Sequence, residues 1–190
     1  MGFCMRIGVI SDTHGSVTAW RKAYDQLLKS ADLIVHAGDL LYHGPRNPLP
    51  EGYDPASLAR ELSASAVPLV IAGGNCDSDI DQMVVNRPLQ TPYACCWLEG
   101  LRILVHHGHM ISPEELPPYI SKDTCDVFIS GHTHVAGISR NSGVLCLNPG
   151  SPSLSKTGGG IPTIGWIEGG SVRIIRLDTG ATTEQQQIGE

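Results

Sequence analysis

Five short stretches carry side chains that bind metals or move protons. They are Asp12-Thr13-His14, Gly38-Asp39, Gly74-Asn75-Cys76-Asp77, His106-His107-Gly108-His109 and Gly131-His132-Thr133-His134. Carboxylate, amide oxygen and imidazole together suit manganese, iron or zinc better than calcium or a thiolate-seeking ion. Two such ions about 3.5–4 Å apart hold a water, lower its pKa and clamp both oxygens of an in-line phosphoryl displacement. A carboxylate shared by the pair screens their repulsion. The Asp-x-His and His-x-His spacings put both members on one side of an extended segment, because side chains alternate there. Each piece alone is weak, since Gly-Asp is an ordinary turn and a lone Asp-x-His more often caps one. Their joint occurrence is what points to a metal centre.

Such a centre needs elements that end at one place. "RIGVIS" (6–11), "DLIVHAGD" (32–39) and "PLVIAGGN" (68–75) are apolar runs that stop at polar, Gly-containing turns, the mark of buried strands. Asp12 and His14 follow the first, Asp39 the second and Asn75 the third. His106, His107 and His109 follow "LRILV", and His132 and His134 follow "VFIS". In open α/β sheets, ligands bind outside the carboxyl ends of the strands. Ser16 reads as an N-cap before Val17, Trp20, Tyr24, Leu27 and Leu28 at helical spacing. Asp54-Pro55 opens a second helix. The pattern to about residue 85 is β-α-β-loop-α-β-α, which predicts a mostly parallel sheet covered by helices.

The second half reads as mixed or antiparallel sheet. "YACCWL" and "LRILVHH" flank Glu99-Gly100 like a hairpin, and "DVFIS", "GVLCLN", "TIGWIE" and "SVRIIRL" are further strands. One helix is expected there, over "SPEELPPYIS" (112–121), with Ser112 capping and Pro113 at its first position. A single domain is expected over residues 1–182, with 183–190 a frayed polar tail. The connection 41–54 holds three prolines and two glycines, and reads as a long, stiff, functional loop.

Composition narrows the partners. A chain of 190 residues with 41% hydrophobic and 17% charged residues suits one α/β domain. The net charge of −6 and the absence of a basic run disfavour duplex nucleic acid. The beginning, "MGFCMRIGVI", lacks the layout of a signal peptide, and Arg6 stands where a myristoylation signal wants Ser or Thr. No apolar run approaches the roughly 20 residues that span a bilayer, so no membrane partner is expected. Six cysteines without C-x-x-C spacing read as reduced thiols of a cytoplasmic protein.

The motifs Asp12-x-His14, Gly38-Asp39, Gly74-Asn75-x-Asp77, His107 and Gly131-His132-x-His134 resemble those of the calcineurin-like metallophosphoesterases. Within that family the chain resembles the small bacterial YfcE-type phosphodiesterases. "HGPRNPLPEGYDP", "GNCDSDIDQM", "HGH", "GHTH" and "NPGSPS" carry the likeness over nearly the whole length. The resemblance implies a four-layer α/β/β/α sandwich with mixed sheets. It implies two divalent ions, manganese first, with iron, zinc or nickel as alternatives. One ion would take Asp12, His14, Asp39 and His134; the other would take Asp39, Asn75, His107 and His132, with Asp39 bridging. The implied activity is hydrolysis of small phosphodiesters by a metal-activated hydroxide, in a protein that the likeness allows to be a homo-oligomer. His106 matches no ligand position and reads as structural, whereas His109 reads as a residue that orients substrate.

Position 76 departs from the wider superfamily, where a histidine contacts the phosphoryl group and helps the leaving oxygen depart. Here it is Cys76, beside Asn75 and Asp77, which complete the expected catalytic set with His109. Lost acid assistance costs about 10²–10⁴-fold, mostly on basic leaving groups. The alternative is a phosphoesterase-fold scaffold that binds protein partners, like the phosphoesterase-like subunit of retromer. A scaffold has no need of all seven ligand positions. Arg46 and Asn47, in the proline-bearing loop, are the expected holders of the substrate's non-reacting side. "NPGSPS" (148–153) reads as backbone support near the site.

Overall fold

The computed structural model describes residues 4–189; Met1–Phe3 and Glu190 lie outside it, and with them the start of the N-terminal motif and the end of the tail. Two mixed sheets face each other. The first contains β1 (Ile7–Ile10), β2 (Leu33–His36), β3 (Leu69–Ala72), β4 (Leu89–Gln90), β10 (Thr163–Glu168), β11 (Ser171–Arg176) and β12 (Thr182–Gln187). Its strand order is β12-β11-β10-β1-β2-β3-β4, with β1 to β4 parallel and β10 to β12 antiparallel. The second contains β5 (Ala94–Leu98), β6 (Leu101–Val105), β7 (Val127–Ile129), β8 (Gly137–Asn141) and β9 (Val144–Asn148), in the order β5-β6-β7-β9-β8.

Residue alternation decides the layers. Ile7 and Val9 of β1 join Val35, Val105, Ile129 and Leu147 in the core between the sheets. Ile10 points the other way, to the core shared with Trp20, Leu28, Leu58 and Leu62. Those last four come from α1 (Val17–Gln26), the short turn that follows it and α2 (Pro55–Ala64). Gly8 shares this outer face, and a Cβ there would run into the Leu28 side chain, so only glycine lets the helical layer approach. Ser16 caps α1 by accepting from the Ala19 N–H (3.1 Å). Asp54 caps α2 by accepting from the Ser57 N–H (2.9 Å), with Pro55 at the first helical position. A third helix, α3 (Asp79–Val84), follows the Gly74–Asp77 turn.

Two expectations need correcting. Residues 112–121 do not form a helix; they run in turns. Pro117 and Pro118 fall mid-segment, where missing N–H groups break the i→i−4 ladder. The fourth layer is therefore this irregular stretch, whose Leu116 and Ile120 pack with Cys125 on Phe128, Val144 and Cys146 of the second sheet. The tail is also not frayed, since residues 182–187 form β12 against β11. Its polarity suits an edge strand, and it ties the two sheets together. Glu184 accepts from the Ile138 N–H (3.2 Å), and Arg140 donates to the Gln187 carbonyl (2.8 Å).

Candidate metal centre

The carboxyl ends of β1, β2, β3, β6 and β7 open on one rim. Main-chain bonds stitch their turns together: Asp12 N–H to the Gly38 carbonyl (3.0 Å), His14 N–H to the Asp39 carbonyl (3.0 Å) and Gly131 N–H to the His107 carbonyl (2.7 Å). Seven non-glycine described residues have positive φ, and five of them are Asp12 (55°), His14 (47°), Asp39 (58°), His132 (68°) and His134 (60°). Left-handed backbone of this kind costs about 1–2 kcal/mol per residue and is most open to Asp, Asn and His. Its concentration here marks a built site.

Imidazole tautomers follow from the hydrogen bonds. His14 Nδ1 donates to the Tyr42 carbonyl (2.7 Å), His107 Nδ1 to the Ala37 carbonyl (2.8 Å) and His134 Nδ1 to the Leu154 carbonyl (2.8 Å). A carbonyl only accepts, so each Nδ1 carries the hydrogen and, in the neutral rings, each Nε2 presents a lone pair. Those lone pairs converge. His14 Nε2 and His134 Nε2 are 3.1 Å apart, His134 Nε2 is 3.3 Å from Asp12 Oδ1, and His107 Nε2 is 3.2 Å from Asp39 Oδ2. His14 Nε2 also lies 3.6 Å from Asp12 Oδ1 and 3.7 Å from Asp39 Oδ2. Asp12 Oδ1 and His107 Nε2 are buried and have no hydrogen-bond partner. Facing lone pairs repel unless a proton or a cation lies between them, and a cation among them would satisfy all of them. The residues fit divalent metal.

Without metal the charges redistribute. Burial alone would lower His107, but Asp39 and Asp12 outweigh it and push the imidazole up to about 9. Burial opposes ionisation of Asp12, yet His134 and His14 hold it below the usual carboxylate range. Burial and the charge of His107 push His132 down. Burial, then His107, push His109 down as well.

Asn75 is exposed on the same rim, and His132 is half-buried with its ring 5.3 Å from that of His107. Cys76 donates its N–H to Asp39 Oδ1 (2.8 Å), and burial, then Asp39, push its thiol up to about 12. His109 is exposed, stacked on His106 at 5.2 Å and 6.3 Å from the ring of His132. His106 is buried, packs against Tyr93 and accepts from the Gly108 N–H (3.0 Å), outside the carboxylate cluster.

Asp77 was expected to act on substrate, but its oxygens are spent on the backbone. Oδ2 accepts from Asp39 N–H (2.8 Å) and Gly74 N–H (2.7 Å), and Oδ1 from Leu40 N–H (2.7 Å). Burial pushes this carboxyl up to about 6 against the pull of the three donors. Gly74 must be glycine, since a Cβ there would collide with the Asp39 carboxylate. Asn47 was expected to reach substrate, yet its amide donates to the His43 carbonyl (2.9 Å) within its own loop. Arg46 is exposed and forms no ion pair among the described residues. The loop is stiff: Val17 N–H bonds the Gly52 carbonyl (3.0 Å), and Asp54 N–H bonds the Gly15 carbonyl (2.8 Å). A cavity of about 570 Å³ beside it, lined by Leu41, Tyr42, Tyr53, Ala59 and Val84, includes none of the cluster residues.

The backbone support expected of "NPGSPS" is present. Ser151 and Ser153 donate to the Asp12 carbonyl (2.8 and 3.0 Å), and Asn148 donates to the Gly131 carbonyl (2.8 Å). The "NPGSPS" stretch thus holds the Asp12 and Gly131 turns at once. A support that sequence reasoning missed is His36, fully buried beneath the site. It accepts from Gly38 N–H at Nδ1 (3.1 Å) and donates from Nε2 to Thr13 Oγ1 (3.0 Å), whose hydroxyl bonds the Leu40 carbonyl (2.9 Å).

Residues 5–168 match the calcineurin-like phosphoesterase superfamily domain. The chain belongs to that superfamily. It is 36% identical over 185 residues to Phosphodiesterase YfcE of Escherichia coli strain K12, covering 97% of this chain and 98% of that one. The solved structure of that E. coli phosphoesterase superposes with a TM-score of 0.89 at 35% identity, over 97% of this chain and all of that one. Vacuolar protein sorting 29 of Cryptosporidium parvum shares the fold at a TM-score of 0.66 and 18% identity, over 99% of this chain and 100% of that one.

Proposed function

We propose that this chain is a metal-dependent phosphodiesterase acting on small phosphodiesters at a dinuclear centre, with manganese the first choice of metal and iron, zinc or nickel the alternatives. The observation that carries the reading is the convergence of the Nε2 atoms of His14, His107 and His134 on Asp12 and Asp39 at 3.2–3.8 Å. Asp12, His14, Asp39 and His134 would hold one ion; Asp39, Asn75, His107 and His132 would hold the other. When bound, the ions supply Lewis acidity and an activated water nucleophile. The relative named for phosphodiesterase activity, alike over nearly its full length, supports the same substrate class.

The chain's own groups do the rest. The Nδ1–carbonyl bonds orient each imidazole and fix its tautomer. Asp77 holds the Asp39 and Gly74 turns together, a positioning role. Exposed His109, at the rim beside His132, orients substrate, and Arg46 meets the non-reacting side of the diester. Cys76 is a poor proton donor, so leaving groups that depart without assistance react fastest. Six free thiols suit a reducing compartment, the cytoplasm, and no described helix is long and apolar enough to cross a membrane. A partner-binding scaffold gives no reason for three buried imidazoles fixed by carbonyls. The test is turnover of bis(p-nitrophenyl) phosphate by protein stripped of metal and then reloaded with manganese. Turnover that appears only on reloading is expected, and its absence with every metal tried would overturn the reading.

A further inference from the structure

Cys76 is the side chain at the centre that the reaction above leaves unused. Its sulfur, an Nε2 or Nδ1 of His14 and a carboxylate oxygen of Asp39 all lie within 4.8 Å of one another, a second set of ligand atoms overlapping the first. The cysteine backbone is pinned there by its N–H bond to Asp39 Oδ1 (2.8 Å). On another side Gly44 closes over the sulfur: a Cβ at that residue would sit 3.2 Å from Sγ, and its φ of 81° favours glycine. Asp39 also belongs to the adjoining set with Asp12 and His107, where the buried Asp12 Oδ1 lacks a hydrogen-bond partner, an acceptor that a cation would satisfy.

Sulfur changes what such a region prefers. Thiolate selects soft ions, whereas carboxylate and imidazole accept hard and borderline ones. We propose that Cys76 is a conditional metal ligand, whose sulfur bonds a thiophilic ion such as Cd²⁺ seated on His14 and Asp39 and does not bond a hard ion such as Mn²⁺. As the sulfur–metal bond forms, the S–H bond breaks and its proton passes to solvent; nothing is oxidised. Sulfur on the ion would compete with the water that catalysis needs, so the identity of the metal would tune whether the centre works. This inference rests on the metal centre proposed above.

The test titrates metal-free protein with Cd²⁺ and follows ultraviolet sulfur-to-metal charge-transfer absorption, with Mn²⁺ affinity measured separately by electron paramagnetic resonance. Wild type and Cys95→Ser, which alters an exposed cysteine of β5, should show the same band, and Cys76→Ser should lack it. Cd²⁺ affinity should fall at least about tenfold in Cys76→Ser while Mn²⁺ affinity stays within about twofold; retained Mn²⁺ binding also shows that the variant folds. A band that survives in Cys76→Ser, or an equal loss of both affinities, overturns the proposal. If Cys76→Ser fails to fold, Cys76→Ala is judged by the same two measurements. Wild type that binds neither ion would remove the metal centre itself, whereas Mn²⁺-dependent turnover without a Cys76-dependent band removes only the thiolate.

Discussion

Replacing Asp77 with alanine separates a positioning carboxylate from a reacting one. In the native protein its two oxygens satisfy the N–H groups of Asp39, Leu40 and Gly74 at 2.7–2.8 Å. Alanine leaves all three without that acceptor. A stranded buried N–H costs about 1–3 kcal/mol; in a turn that water can reach, the lower figure applies, giving a loss of about 3 kcal/mol. A domain typically has about 5–15 kcal/mol in hand, so the fold survives. Asp39 then sits on a looser turn, and metal affinity should weaken by about 10–100-fold. Asp77→Asn keeps one oxygen for Asp39 and Gly74 and should recover most of both losses. Urea unfolding, manganese titration and turnover at saturating metal read the three quantities. A positioning role predicts a turnover number near wild type once metal saturates. If Asp77 instead moved a proton, turnover would fall about 10²–10⁴-fold, with affinity and stability intact and no rescue by asparagine. That outcome would refute the assignment.

Acid stability should report His36, whose burial holds its pKa near 4 against 6.5 for the free side chain. The unfolded chain binds the extra proton first, so stability is full above pH 6.5 and drains as pH falls toward 4, by on the order of 3 kcal/mol. His36→Gln should flatten this slope in urea unfolding, leaving the part due to His106, which burial, His109 and His107 also push to about 4; an unchanged slope would contradict it. Metal binding must expel the proton that metal-free His107 retains below pH about 9, so manganese affinity should rise by up to about tenfold per pH unit from 6 to 8. Affinity that is flat over that range, measured by paramagnetic resonance, would count against His107 as a ligand. Cys76→His should raise turnover of alkyl phosphomonoesters by about 10²-fold or more, while activated diesters change little; equal effects across a leaving-group series would deny position 76 its role. Arg46→Ala should raise the Michaelis constant for diesters about tenfold, the worth of one charge-assisted hydrogen bond, and unaltered kinetics would exclude Arg46 from substrate contact.

The convergence of acidic and imidazole groups was legible because each motif sits where an apolar run ends, and a parallel sheet brings those ends together. The caps were legible too, since Ser16 and Asp54-Pro55 combine a preferred residue with the right neighbour. The failures have physical causes. Pro117-Pro118 broke a segment whose cap and first proline otherwise read as a helix start. The β12 strand carries no apolar alternation because its inner face, Glu184 and Gln186, is only half-buried and bonds the Ile138 backbone through polar groups, so "TTEQQQ" read as tail. Asp77 shows a deeper limit: a carboxylate two residues from Asn75 reads the same whether it faces an ion or three backbone N–H groups. The carbonyls of Ala37, Tyr42 and Leu154, which set the imidazole tautomers, belong to the backbone and leave no mark on residue type.

Those carbonyls bear on the order in which the centre forms. Asp12, His14, Asp39, His132 and His134 hold left-handed backbone, strain worth about 1–2 kcal/mol each. Bonds that do not involve metal maintain it: Ser151 and Ser153 on the Asp12 carbonyl, Asn148 on the Gly131 carbonyl and His36 on the Gly38 N–H. The positions of the proposed ligands are therefore set by the fold, and a metal ion would meet a prepared cluster. Metal should then stabilise the native state by mass action, by about 2.7 kcal/mol at a hundredfold excess over its dissociation constant, without a large change in secondary structure. A centre assembled by the ion would behave otherwise. Stripping metal would melt the turns, and circular dichroism would fall together with stability.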